Sequence, residues 1–217
     1  MPSTARLAGL LYLVVAVFGG FAELFARARV RASDDVADAL RENAGLMKLA
    51  FAADLVAFTA FLLVGLALYA LLGRVHRAAA LTMLTMNAVA TAIQCLNMVN
   101  HAGAVLAAQR GSDEVAVLLL DLHGVGYLVA QIFFGAWLIP LGYLVVRSGW
   151  VPRPFGYALV VGGFGYLAGL LVELVAPGAA SAALALGFLG GVSEIVFLLW
   201  LLVTGVSAPV RERVLVP

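Results

Sequence analysis

An all-α bundle of six transmembrane helices is the fold class this chain predicts, and three observations predict it. Hydrophobic residues make up 64% of the 217 and charged residues only 12%, with a mean hydropathy of +1.07. An ordinary soluble domain is about 45–50% apolar and about 25% charged, and a fold of this size buries only about 70–75% of what the chain exposes. The apolar residues also fall into six long runs, each near the roughly 20 residues needed to cross a 30 Å hydrocarbon core. None of the runs shows the dyad alternation of a membrane barrel.

The six runs cover 7–26, 46–72, 79–108, 115–146, 155–175 and 181–206, within a single membrane domain taken as 1–217. The first lies between Arg6 and Arg27, and its 20 apolar residues exceed the roughly 7–15 of a signal-peptide core, so it reads as a retained helix. The fourth contains Pro140, which predicts a bend. The one long connection carries Arg27, Arg29, Arg31 and Arg41 against Asp34, Asp35, Asp38 and Glu42, with Val30, Val36, Ala37 and Leu40 between them. This pattern predicts a short interfacial helix, read as a solvated connector in preference to a lid. The turns around Arg74–Arg77 and Arg147–Arg153, with the Arg211–Arg213 tail, carry a slight excess of basic residues. That excess points to both termini being cytoplasmic.

A formal net charge of +1 gives no electrostatic case for nucleic acid, and one cysteine, Cys95, cannot form an internal disulfide. The sequence holds no P-loop, HExxH, CxxC or dinucleotide fingerprint, and no internal repeat of 20–50 residues. Oligomeric state is not legible.

Acidic residues carry the functional signal. Of 12, five fall inside the runs: Glu23, Asp54, Asp121, Glu173 and Glu194. With the first span ending at residue 26, no lysine or arginine lies well inside any span. A charge at the bilayer centre costs at least about 2.5–3.5 kcal/mol, so such acids should face the bundle interior and find partners. Because successive spans alternate in direction, Glu23, Asp54, Asn97, Asn100, His101, Asp121, His123, Tyr127 and Glu173 all fall in the half of the bilayer opposite the termini. Helical phase, at about 100° per residue, puts Asn87, Thr91, Gln94 and His101 on one stripe, and His123 beside Tyr127. Asp121 stands about 160° from His123, so the two cannot point into one pocket. Gly165 and Gly169, and Gly187 and Gly191, have the small-xxx-small spacing of close helix packing, and Gly162, Tyr166, Gly169 and Glu173 share one face.

Several strings stand together: Ala5-Arg6-Leu7-Ala8-Gly9-Leu10-Leu11-Tyr12-Leu13, Phe21-Ala22-Glu23 and Ala52-Ala53-Asp54-Leu55 come first. Asp121-Leu122-His123 with Gly126-Tyr127, Ile132-Phe133-Phe134-Gly135, Leu141-Gly142-Tyr143-Leu144, Arg147-Ser148-Gly149 and Pro152-Arg153 follow. In these the chain resembles the bacterial membrane family known as domain of unknown function 4386, the aspartate–leucine–histidine string being the most specific part. The resemblance implies a multi-pass membrane protein and brings no catalytic assignment.

Two functional readings and a structural one follow from the residues. Glu23, Asp54, Asn97, His123 and Tyr127, extended by His101, Asp121 and Glu173, predict a polar pocket that binds or transports a cation, a proton or a small polar solute. Carboxylates without basic partners favour a positive guest. Alternatively, Glu23, Asp54 and His123 are the candidate ligands of a divalent metal in a membrane-embedded, hydrolase-like enzyme; histidines on separate helices also suit haem, with less support. In the structural reading these groups only hold helices together in an accessory protein.

Overall fold

The computed structural model describes residues 2–206; the Arg211–Arg213 tail lies outside them. Its long helices are α1 (Pro2–Gly20), α4 (Ala44–Leu72), α5 (Arg77–Gln109), α6 (Asp113–Ser148), α7 (Arg153–Val175) and α8 (Ala180–Val203). Two short ones, α2 (Ala28–Arg31) and α3 (Val36–Glu42), separate α1 from α4. Six helices are long and apolar enough to span a bilayer, and no strand occurs among the described residues.

The first span differs from its predicted extent. Beyond α1 the helix continues through a π-helical segment, Phe21–Arg27, and then α2, so that the spanning helix runs from Ser3 to Arg31. Arg27 is therefore inside the span and 1% exposed. The expectation that no lysine or arginine lies well inside a span rested on an end at residue 26, and it does not hold for Arg27, whose guanidinium two carboxylates neutralise in the protein interior.

Of the described residues, one compact unit takes in 2–12, Leu62–Ala90 and 131–206, and a second takes in Leu13–Phe61 and Thr91–Ala130. We refer to them as the terminal unit and the polar unit. Helices α1, α4, α5 and α6 each contribute one end to each.

In the terminal unit, glycines set how closely backbones approach. A Cβ added at Gly165 would stand 2.7 Å from the Leu186 carbonyl oxygen, and one at Gly169 2.9 Å from that of Ala183. The expected small-residue face of α7 is thus packed against the α8 backbone, as helices in lipid pack where side chains are small. Helix α6 passes through Pro140 without interruption. Proline in a membrane helix is tolerated where neighbours satisfy the carbonyl it leaves free.

In the polar unit, Gly111 ends α5 with φ of 72°. The Ser112 amide donates to the Ala107 carbonyl (3.0 Å) and the Gly111 amide to that of Ala108 (3.1 Å), a Schellman closure that only glycine enters without strain. Helix α3 starts where the Asp35 carboxylate accepts the Asp38 amide at 2.9 Å. The expected connector helix is not simply solvated. Leu40 is fully buried, in a cluster with Val30, Met47, Val105, Ala108 and Leu120. Arg41 donates to Asp113 and Asp38 and also to the Ala108 carbonyl (3.4 Å), tying α3 to α5 and α6. These bonds, Asp113 first, hold the Arg41 guanidinium above the ordinary arginine pKa.

Candidate functional site

The polar unit gathers its ionisable groups around Arg27. The π-helical segment carries both Glu23 and Arg27, four residues apart, and π-type turns recur at functional sites. Arg27 Nε donates to Glu23 Oε2 at 2.6 Å, and Nη1 donates to Asp54 Oδ2 at 2.5 Å, with Nη2 3.4 Å from Oδ1 of the same carboxylate. Asp54 is 2% exposed. Arg31 Nη1 meets the other oxygen of Glu23 at 3.2 Å, where the cluster opens outward. Two carboxylates and two guanidiniums balance in formal charge.

Two histidines complete the cluster, and their partners fix their tautomers. His101 Nε2 lies 2.9 Å from the Met47 carbonyl oxygen, which can only accept, so Nε2 carries the proton. Its Nδ1 is then free to accept from Arg27 Nη1, 3.4 Å away. In His123 the arrangement is reversed: Nδ1 donates to the Asn97 carbonyl across 3.4 Å, and Nε2 is left as a buried lone pair with no partner among the described residues. The two rings stand edge to face, 5.6 Å between centroids.

Asn97 clamps α5 to α6. Its Nδ2 donates to the His123 carbonyl (2.8 Å) and to Gln94 Oε1 (3.3 Å), and its Oδ1 accepts from Asn100 (3.0 Å). The side chain lies directly against Gly126, where any Cβ would collide with the Asn97 amide. The histidine and the glycine of the Asp121–Tyr127 string therefore act on the same asparagine. Gln94 is fully buried, and its Nε2 donor also lacks a partner.

Of the expected site residues, the structure brings Glu23, Asp54, Asn97, His101 and His123 into this one network. Tyr127 is on the same helix face as His123 but 36% exposed, and Asp121 is exposed on the opposite face of α6. Glu173 belongs to the terminal unit and is exposed. The metal candidates Glu23 and Asp54 are both engaged by Arg27. Among the described residues no three His, Cys, Asp or Glu side chains form a group able to hold a metal. The contact between the two histidine rings leaves no room for a haem between them.

Sequence reasoning missed Arg27, the centre of the network. Its i, i+4 spacing from Glu23 was the available signal. Glu194, one of the five acids placed within spans, forms a second, half-buried site in the terminal unit, and its tyrosine partners were not legible in the sequence. There Glu194 accepts from the Tyr12 hydroxyl and, at 2.9 Å, from that of Tyr166, and among the described residues no basic side chain pairs with it.

Six apolar spanning helices with a charge-balanced polar cluster buried among four of them define a multi-pass helical membrane protein. The particular family is shown by its model, which matches residues 7–205: the chain belongs to the family described as Domain of unknown function (DUF4386). No curated protein and no solved structure matches it.

Proposed function

We propose that this membrane protein binds a small, uncharged polar solute within the polar unit, at the face shared by Gln94, Asn97 and His123. The observation that carries this reading is the pair of buried, unpartnered atoms on one network: the Gln94 Nε2 donor and the His123 Nε2 lone pair. Leaving a buried polar atom unmet costs about 1–3 kcal/mol. A guest that both accepts and donates a hydrogen bond, such as an amide or a hydroxyl compound, would satisfy both.

The same geometry ranks the other guests lower. Charge balance between Glu23, Asp54, Arg27 and Arg31 removes the excess of negative charge that argued for a cation. A proton relay through the cluster would have to cross Arg27, which stands between the carboxylates and His101 and does not deprotonate in proteins. We take the termini to be cytoplasmic, on the strength of the basic turns at Arg74–Arg77 and Arg147–Arg153, and the membrane to be a bacterial cytoplasmic one, on the resemblance to a bacterial family.

The test is the melting temperature of purified protein titrated with glycerol, urea and acetamide. A bound solute raises it in proportion to RT ln(1 + [L]/Kd). Saturable stabilisation by at least one of them, absent in Gln94→Leu and His123→Phe, supports the reading. Each variant removes an unmet polar atom together with one hydrogen bond to Asn97, so its own melting temperature should stay close to that of wild type. If the solutes act alike on wild type and both variants, the reading is wrong.

A further inference from the structure

A cavity of about 330 Å³ opens on the surface of the polar unit between α4 and α5, on the outer side of His101, the one residue it shares with the network described above. Met47, Lys48 and Phe51 form one wall, and His101, Ala102, Val105, Leu106 and Gln109 the other. Lys48 and Gln109 lie near the ends of their helices, while His101 is eight residues, or about 12 Å, further along α5. The groove is thus polar and positive at its mouth and apolar below. His101 does not change that character, because both its nitrogens are committed, to the Met47 carbonyl and to Arg27. It offers the groove ring carbon, packed 6.0 Å from the centroid of Phe51.

We infer that this groove holds one acyl chain of an anionic phospholipid, with its phosphate on Lys48. Three observations argue for that occupant. Lys48 is exposed and is the only charged side chain among the lining residues, so the mouth selects a negative group. The depth order, charge at the helix end and hydrocarbon surface for two turns beneath, repeats that of a lipid in its leaflet. The volume is at the lower bound for a ligand site and matches one chain better than a whole lipid.

The bound chain rests on the ring that orients Arg27, so the lipid buttresses the buried network from outside. Gln94 and His123 do not line the groove, and variants there leave lipid retention unchanged. The lipid site and the solute site can therefore fail separately.

Native mass spectrometry of the full chain, released from equimolar phosphatidylcholine and phosphatidylglycerol, tests the inference. One phosphatidylglycerol should be retained about fivefold over phosphatidylcholine, the preference one surface lysine supports. Lys48→Gln should abolish the preference and Lys48→Arg should keep it. Ala102→Phe, which fills the groove, should lower retention of both lipids. Equal retention by wild type, a preference that survives Lys48→Gln, or undiminished retention in Ala102→Phe would each overturn it.

Discussion

Replacing Asp54 with asparagine isolates the most deeply buried ion pair among the described residues. Arg27 is 1% exposed and Asp54 2%, and the contact between them is 2.5 Å. Two unit charges about 4 Å apart at an effective dielectric of 20 attract by roughly 4 kcal/mol. Removing one partner of such a pair typically costs about 3–5 kcal/mol, mostly because the other charge stays buried and unmet. Glu23 still holds Arg27 Nε at 2.6 Å in the variant, which sets the expectation at the lower end, about 3 kcal/mol. For a chain of this length that is roughly 6–12 °C in melting temperature. The assay is thermal unfolding of the purified protein in detergent, followed by intrinsic fluorescence, for Asp54→Asn, Arg27→Met and the double variant. The double variant should be more stable than the sum of the two single losses predicts, because it leaves no orphaned charge. A drop of under 2 °C in Asp54→Asn, or strict additivity in the double variant, would refute the buried pair.

Four further predictions rest on other contacts. Gly126→Ala drives a methyl into the Asn97 amide and should cost about 1–3 kcal/mol by overpacking, read by the same unfolding assay. Nitrogen-15 NMR of labelled histidines should show His101 protonated at Nε2 and His123 at Nδ1; the same tautomer at both would contradict the network. Tyr12→Phe and Tyr166→Phe each strip a donor from half-buried Glu194 and should each lower stability by about 1 kcal/mol, whereas Tyr157→Phe, at an exposed position, should not. Arg41→Leu cuts the exposed ties of α3, worth at most about 1 kcal/mol, so hydrogen exchange over Val36–Glu42 should quicken while the global melting temperature barely moves.

The spans were legible because apolar length is a direct physical requirement of the bilayer, and their ends were legible to within a few residues. The exception was the first, where the run of apolar residues stops at Ala26 but the helix does not. A composition rule ends a span at the first charge. It cannot know that Glu23, one turn back, and Asp54, on another helix, stand ready to neutralise that charge. The same blind spot led to the inference of unpaired acids and a positive guest. Depth bookkeeping placed Glu23, Asp54, Asn97 and His123 at one level, and they do meet. Phase set Asp121 apart from His123 for the same elementary reason that the structure exposes it. The partnership of Gly126 with Asn97 and the tyrosine pair on Glu194 needed helix neighbours, which one sequence read alone does not supply.

The pairing of Arg27 with acids on two successive spans has a consequence for how the chain enters the bilayer. The helix that ends in α2 brings Glu23 and Arg27 together, and that pair can partition as a nearly neutral unit. Helix α4 instead carries Asp54 buried, with its one base, Lys48, exposed near the helix end, and the counter-ion of Asp54 resides on the helix before it. Integration of α4 is therefore favoured only once the preceding helix is in place beside it. These two segments should leave the translocation machinery as a hairpin, and a chain synthesised without the first would hold α4 poorly.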